Sequence, residues 1–255
     1  MSVLNRYLPK VPNKVRHTPK FTAEDSMRIS PGDLKSLPES CVMVFSKPLY
    51  DKLQERLRTE EIRYPYDGFY QESVNAERNL IVIRIPPGAP LAVATVEELV
   101  SLGVRKFLIL GTAGSISTRA NFNDIVLCTK AVRDEGTSYH YIRPSTYAYP
   151  SKPLTRSLLE ALKKKGMITL SGPSWTTDAP YMETIEEISE FRRRGVITVE
   201  MEAASVFAVS VRRNVESAAV FSISDELHGE SWTGIRIPET GFTKLAEVAE
   251  VFGGL

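Results

Sequence analysis

The sequence has few residues of the kinds that bind metals or form disulfides. It contains 2 cysteines and 3 histidines among 255 residues, and the histidines are far apart in the chain. We therefore predict that it holds no metal. Cys41 and Cys128 both lie in apolar runs. This predicts buried, reduced thiols and a cytoplasmic location.

An excess of charge and a long apolar stretch are also missing. The 32 basic and 31 acidic residues leave a net charge of +1. A balanced surface does not favour nucleic acid, and no apolar run is long enough for a membrane span. The basic, proline-punctuated residues 1–21 lack the apolar core of a signal peptide. We expect neither nucleic acid nor a membrane as a partner.

Two regions differ in composition. Residues 1–38 are interrupted by prolines and contain the turn sequence Pro31-Gly32, which predicts an irregular N-terminal extension. The remainder, 39–255, is long enough for one large domain, and 42% of the whole chain is apolar.

Apolar runs that favour strands alternate with helical patterns along residues 39–255. The predicted strands are 41–46, 80–85, 106–111, 124–132, 167–171, 196–199 and 218–224. The predicted helices are 49–59, 90–102, 152–165, 184–194, 202–213 and 243–252. This alternation indicates an α/β fold with a parallel or mixed sheet that is buried on both faces. In such folds ligands bind beyond the carboxyl ends of the strands.

The segment VEMEAASVF places two carboxylates, Glu200 and Glu202, at the start of a helix that is apolar on all sides. Acidic residues in a first helical turn are favourable through the helix dipole alone. A carboxylate at the head of a buried helix must nevertheless be paired or face a ligand cavity. Because a carboxylate can accept two neighbouring hydroxyl groups, a sugar is a natural ligand. Both interpretations remain open at this point.

Two further strand ends carry small or polar residues. In GTAG, Gly111 and Thr112 could let backbone N–H groups approach an anion, or could simply end a strand. In SISDE, Asp225 follows Ser224 after an apolar strand. Burial there would favour a protonated carboxyl that can act as an acid, whereas an N-cap for the next segment is the simpler alternative.

Trp175 stands among small polar residues in GPSWTTD. A tryptophan near a loop commonly fills part of the core, but its face also suits stacking on a heterocycle. The earlier segment VRDEGT, from Val132, offers several polar groups that could line a pocket, although a solvated loop is the simpler interpretation.

Taken in order, these segments resemble the nucleoside phosphorylase family, which includes purine nucleoside phosphorylases, uridine phosphorylase and methylthioadenosine nucleosidases. The resemblance spans about residues 40–252, and VEMEAASVFAV is its most specific segment. It implies a single-domain three-layer α/β/α fold with a mixed, partly barrel-like central sheet over residues 39–255. It also implies a homo-oligomer, dimer-based and up to a hexamer, that cleaves N-glycosidic bonds without a cofactor.

The resemblance assigns roles to the residues that bind the nucleoside. Glu202 holds the ribose hydroxyls, Met201 packs against the sugar, and Glu200 contributes to the same wall. Trp175 packs on the base. Ser224 precedes Asp225, which corresponds to the acid that protonates a purine leaving group.

The phosphate side departs from the family pattern. The resemblance implies phosphate contacts from Thr112, Gly111, Arg63 and Ser46. Ile109 and Tyr50 stand where arginines normally bind phosphate, and Lys47 could supply a positive charge instead.

We therefore predict a phosphorylase that uses inorganic phosphate as co-substrate and cleaves a purine ribonucleoside. The alternatives are a nucleosidase that uses water, a uridine phosphorylase, and a nucleoside-binding protein without activity. Against the pyrimidine, Met182, Glu183 and Thr184 follow Tyr181 where uridine phosphorylase has its uracil-binding Gln and Arg.

Overall fold

The computed structural model describes residues 13–29, 37–62 and 70–255. Its helices are α1 (Ala23–Ile29), α2 (Lys47–Leu57), α3 (Ala89–Ser101), α4 (Lys152–Lys164), α5 (Ile185–Arg193), α6 (Ala203–Arg213) and α7 (Glu239–Phe252). Its strands are β1 (Ser40–Val44), β2 (Glu60–Ile62), β3 (Gln71–Asn75), β4 (Leu80–Arg84), β5 (Lys106–Ser115), β6 (Ile125–Asp134), β7 (Tyr147–Ala148), β8 (Leu170–Thr177), β9 (Thr198–Glu200) and β10 (Glu216–Glu226).

The strands form one mixed sheet that partly closes on itself. Its order is β10-β6-β8-β9-β5-β1-β4-β3-β2, with β7 beside β6. Because β10 also pairs with β5, strands β5, β10, β6, β8 and β9 form a closed ring. Strands β1, β4, β3 and β2 extend from β5 as an open sheet. The predicted α/β fold with a mixed, partly barrel-like sheet is confirmed.

Helices cover both faces of the sheet, as the continuous apolar runs predicted. In β1, Cys41 and Met43 pack in a core that includes residues of α3 and α6. Val42 and Val44 point the other way and pack with residues of α2, α4 and α7. The result is a three-layer arrangement in which alternate residues of one strand serve different cores. Both cysteines are buried and free, as expected.

Several elements differ from the prediction. Strands β2 and β3 and the short β7 were missed because QESVN and EEI carry few of the apolar residues that mark a strand. The extension expected to be irregular contains α1, which Thr22 caps by accepting the backbone N–H of Asp25 at 3.2 Å. Strands β5, β8 and β10 run further than predicted. They include the polar residues that the sequence had suggested lie in turns or loops.

No helix within the described ranges has both the length and the apolar character needed to cross a membrane.

Candidate active site

Four neighbouring strands deliver the predicted site residues to one edge of the sheet. Strand β1 is parallel to β4 and β5, and β10 is parallel to β5. The carboxyl ends of all four therefore lie at the same edge. Ser46 and Gly88 follow β1 and β4, while Thr112 and Asp225 lie in the last part of β5 and β10.

A row of paired residues connects Asp225 with Trp175 across the sheet. Gly114 of β5 pairs with Asp225 on one side and with Val199 of β9 on the other. Val199 in turn pairs with Trp175 of β8. Residues directly opposite each other in a sheet project to the same face. Asp225 and Trp175 therefore share a face, and Glu202 follows three residues after Val199.

Glu200 is fully engaged by donors from the protein. Its Oε2 accepts the backbone N–H groups of Glu202 and Ala203 at 2.8 and 2.7 Å. Its Oε1 accepts the hydroxyls of Thr176 at 2.6 Å and Ser174 at 3.1 Å. The dipole interpretation therefore holds for this carboxylate, which satisfies the start of α6 and ties it to β8. Its contribution to a sugar-binding wall stays a prediction.

Glu202 is buried but keeps capacity for a ligand. Glu202 is 5% exposed. Oε1 accepts the N–H of Gly88 at 2.7 Å, and Oε2 accepts that of Met201 at 3.3 Å. Since each carboxylate oxygen can accept two hydrogen bonds, one position on each remains for a hydroxyl group. Two neighbouring sugar hydroxyls fit that capacity.

Gly88 is a site residue that the sequence did not single out. Its φ of 126° lies in the region that favours glycine, and this conformation turns its N–H toward Glu202 at the start of α3. The signal was present in PPGAP, where a glycine between prolines precedes a helix.

Burial raises the pKa of both carboxyls in this pair. For Glu202 the pKa rises to about 8, because burial comes first and the charge of Glu200 adds to it. The N–H groups of Gly88 and Met201 act in the opposite direction. Burial also raises the pKa of Glu200, against the effect of its own hydrogen bonds. Two carboxyls this close and this buried favour sharing a proton.

Asp225 lies inside β10, and the next helix, α7, begins only at Glu239. The N-cap interpretation is therefore wrong. A β-bulge between Ile223 and Asp225 makes Ser224 the extra residue and aligns Asp225 with Gly114. Bulges of this kind re-aim a side chain at the edge of a sheet. A Cβ at Gly114 would lie 3.3 Å from Asp225 Oδ2 and 2.6 Å from Leu227 Cδ1, so the approach requires glycine.

The Asp225 carboxyl is 7% exposed by residue and accepts two side-chain donors. The Ser224 hydroxyl donates to Oδ1 at 2.6 Å, and the Trp232 indole N–H donates to Oδ2 at 2.7 Å. Glu183 is a second acid near this point. Burial raises its pKa to about 7, and the charge of Asp225 contributes. Sequence reasoning noted Glu183 only as a departure from the uracil-binding pattern and missed Trp232.

Trp175 lies in β8 rather than near a loop and is 1% exposed. Its N–H donates to Asp134 Oδ2 at 2.9 Å, and its ring packs 4.8 Å from that of Phe191 in α5. The ring therefore has a core-filling role in this conformation, and its contact with a base stays a prediction.

The phosphate side contains fewer polar groups. Gly111 and Thr112 continue β5, so the strand does not end at this point. Thr112 is half-buried and pairs with Ser222, and Ser46 is the N-cap of α2, where its side chain makes no capping hydrogen bond. Arg63 lies outside the described residues.

The two positions at which the resemblance implies phosphate-binding arginines hold other side chains, which are buried in the core. Ile109 and Tyr50 are both 0% exposed. Lys47 points to Asp51, with its Nζ 2.7 Å from the carboxylate, and both side chains are exposed. Lys47 is thus engaged away from Thr112 in this structure.

The segment VRDEGT, predicted to be a solvated loop, is instead held in place by hydrogen bonds from a buried arginine. Arg133 is 4% exposed, and its Nε donates to Ser138 Oγ at 2.8 Å. Its Nη1 donates to the carbonyl of Arg143 and to Ser145 Oγ, each at 2.8 Å. These bonds fix the loop from Asp134 onwards, so Arg133 has a structural role.

Two cavities lie away from these carboxylates. One of about 420 Å³ separates residues 14–26 from α3 and α6, and one of about 570 Å³ runs between β6 and α4. Within the described ranges, no group of three His, Cys, Asp or Glu side chains is arranged to hold a metal ion.

Comparisons with known proteins identify the family and agree with the fold. The family model of the phosphorylase superfamily matches residues 30–249. A guanosine phosphorylase of Halorubrum lacusprofundi is 32% identical over 140 residues, which are 55% of this chain and 58% of that protein. A uridine phosphorylase of Salmonella typhimurium is 28% identical over 77% of this chain and 79% of that protein. A DeoD-type purine nucleoside phosphorylase of Clostridium novyi is 28% identical over 73% and 78%.

The fold has a counterpart among solved structures. The purine nucleoside phosphorylase of Toxoplasma gondii in complex with immucillin-H superposes with a TM-score of 0.76 at 18% identity, over 88% of this chain and 94% of that one. The chain belongs to the phosphorylase superfamily. Its relatives are purine and uridine nucleoside phosphorylases, which are pentosyltransferases.

Proposed function

We propose that this protein cleaves the N-glycosidic bond of a purine ribonucleoside with inorganic phosphate, giving the free base and ribose 1-phosphate, as in purine salvage. The observation that carries the proposal is Glu202. It is buried, each of its carboxyl oxygens accepts one backbone N–H, and it lies next to the row that contains Asp225.

The sugar side suits the charge that develops in the reaction. As the bond from C1′ to N9 breaks, its electron pair leaves with the purine and positive charge builds on the ribose. Glu202 and Glu200 would lie close to that positive charge, and Glu202 would hold the two ring hydroxyls. Met201 is half-buried beside them and would pack on the sugar.

The base side supplies an acid. Asp225 would donate a proton to N7 of the purine as the electron pair arrives, and an oxygen of phosphate would form the new bond to C1′. Ser224 would orient Asp225 through its 2.6 Å hydrogen bond, and Trp175 would line the base pocket. Uracil has no ring nitrogen acceptor equivalent to N7, so Asp225 favours a purine over a pyrimidine.

Thr112, the backbone near Gly111, Ser46 and Arg63 would bind phosphate.

A second candidate function follows from the phosphate side of the site, since Ile109 and Tyr50 fill the usual arginine positions with buried side chains. Water in place of phosphate would make the protein a nucleosidase.

The test is base release from inosine, guanosine, adenosine and uridine, with and without phosphate. Release of a purine that requires phosphate supports the proposal. Release without phosphate selects the nucleosidase, release from uridine alone selects a uridine phosphorylase, and thermal stabilisation without turnover selects a binding protein.

The Glu202 assignment has its own test. Glu202→Gln retains the size of the side chain but turns one acceptor into a donor, so discrimination between a ribonucleoside and its 2′-deoxy analogue should fall roughly tenfold. Unchanged discrimination would remove the basis of the sugar assignment.

We also propose that the protein acts as a homo-oligomer, dimer-based and up to a hexamer. Tyr181, Met182 and Ile185 are exposed apolar residues near Glu183, with Tyr181 100% exposed. Apolar side chains that cluster on a surface favour burial against another chain. Light scattering coupled to size exclusion would give the subunit number, and a monomer would refute this proposal.

A further inference from the structure

The segment between β10 and α7 places a tryptophan against the proposed catalytic acid. Residues 227–238 form neither helix nor strand, and within them Trp232 donates its indole N–H to Asp225 Oδ2 at 2.7 Å. The residue is 58% exposed, so one side of the ring faces solvent. Nothing in the proposed reaction uses this contact.

The Trp232 indole N–H occupies the Asp225 oxygen that the proposed reaction would use. An indole N–H is a donor only, and a carboxyl oxygen that carries a proton is also a donor. Oδ1 already accepts the Ser224 hydroxyl, so Oδ2 is the oxygen left to present a proton to a base. While Trp232 donates to Oδ2 at 2.7 Å, it occupies one of the two hydrogen-bonding positions of that oxygen, so a proton and a base nitrogen would have to share Oδ2 with the indole N–H.

We propose that Trp232 is a positioning residue that holds Asp225 in the free protein and must be displaced by the purine before Asp225 donates its proton. This inference rests on the proposed function, because it assigns Asp225 as the acid. Trp232 then competes with the base for the same oxygen. Breaking its hydrogen bond to Asp225 therefore weakens the binding of substrate.

The surrounding contacts allow the ring to leave without unfolding the segment. Thr233 is fixed to Glu226 by its Oγ1, which accepts a backbone N–H at 2.9 Å. The backbone of Arg236 donates to the carbonyl of Ser224 at 3.1 Å. Its guanidinium lies 3.8 Å from the centre of the Phe122 ring. The segment is therefore anchored just after Trp232, and the indole itself has one donor to give up.

The first test uses fluorescence and needs no turnover. The chain has 2 tryptophans, and Trp175 is 1% exposed whereas Trp232 is 58% exposed. Titration of the whole protein with hypoxanthine, guanine or adenine should give a saturable change in emission that is clearly larger than in Trp232→Phe, where only Trp175 remains to respond to the base. An equal change in the two proteins would overturn the inference. Base binding seen by calorimetry with unchanged emission would overturn the inference, as would the absence of binding by all three bases.

The second test is steady-state kinetics of Trp232→Phe, which keeps an aromatic ring and removes the donor. The KM for the purine nucleoside should fall by about tenfold, the effect of losing one competing hydrogen bond to a charged group, while kcat does not fall. A residue of structural importance alone would not lower KM. Ile235→Ala, in the same segment and 74% exposed, is the matched control and should leave both constants unchanged.

The outcomes separate the two proposals. Base release by the wild type with a KM that is equal or higher in Trp232→Phe would retain the phosphorylase and overturn the role of Trp232. A base-dependent emission change in a protein that releases no base would support displacement of Trp232 and remove the phosphorylase assignment.

Discussion

The sugar side and the phosphate side of the proposed site are built to different degrees. On the sugar side, Glu200 and Glu202 are buried, and donors from three separate segments satisfy or orient them. On the phosphate side, Ile109 and Tyr50 belong to the apolar core, and Lys47 pairs with Asp51. The difference teaches that buried polar groups are concentrated where the nucleoside is proposed to bind and are few where the anion is proposed to bind. Four changes would sharpen or break that comparison.

The largest effect is expected at the base end of the nucleoside side. Asp225→Asn keeps the shape but cannot donate an acidic proton, so kcat/KM for a purine nucleoside should fall about 10²–10⁴-fold while nucleoside binding is retained. Initial rates and calorimetric binding would measure the two quantities. Equal rates in mutant and parent would show that the acid lies elsewhere.

Glu200→Gln should act on stability. An amide in place of this carboxylate puts a donor opposite either the N–H groups at the start of α6 or the Thr176 and Ser174 hydroxyls. A buried mismatch of this kind costs roughly 2–4 kcal/mol in the free energy of unfolding. Urea denaturation measures it. A loss below about 0.5 kcal/mol would mean that the acid does not hold the start of α6.

The stability of the protein should depend on pH through Glu202. Its pKa is raised from 4.5 to about 8, so the folded protein keeps a proton that the unfolded chain releases in that interval. The contribution to stability is complete below pH 4.5 and is lost as pH rises towards 8. Between about pH 5 and 8, the unfolding free energy of the wild type should therefore fall by on the order of 2 kcal/mol more than that of Glu202→Gln. Parallel pH profiles for the two proteins would refute this origin.

The smallest effect is expected on the phosphate side. Thr112→Val keeps the shape of the side chain and removes one hydroxyl donor, so the KM for phosphate should rise about fivefold, near 1 kcal/mol. The KM for the nucleoside should not change. If base release is independent of phosphate in both proteins, Thr112 does not serve an anion and the nucleosidase is favoured.

Periodicity predicted the central strands and six helices because their apolar residues repeat at the spacing of the element. It missed β3 and α1, where long-range pairing and a local cap stabilise polar sequences. It also ended β5 and β10 too early. Gly114 and Asp225 remain in strands because each pairs with the other across the sheet, and a single sequence does not show its pairing partners.

The candidate site was predicted in type but not in arrangement. The sequence could not decide whether Glu200 and Glu202 serve the helix or a ligand. In the structure Glu200 accepts four donors at the start of α6, whereas Glu202 accepts two. The second acid Glu183, the N–H of Gly88 and the indole of Trp232 come from segments distant in sequence. Their proximity depends on how the loops return to the sheet edge.

The sequence by itself determined an α/β chain with a buried helix that opens on two acids, since apolar spacing and local charge are properties of neighbouring residues. Only the tertiary structure decided which acid accepts more donors, where Asp225 points and that Trp232 donates to it. Those outcomes depend on hydrogen bonds between atoms that are distant in sequence or differently oriented until the fold brings them within 3 Å of each other.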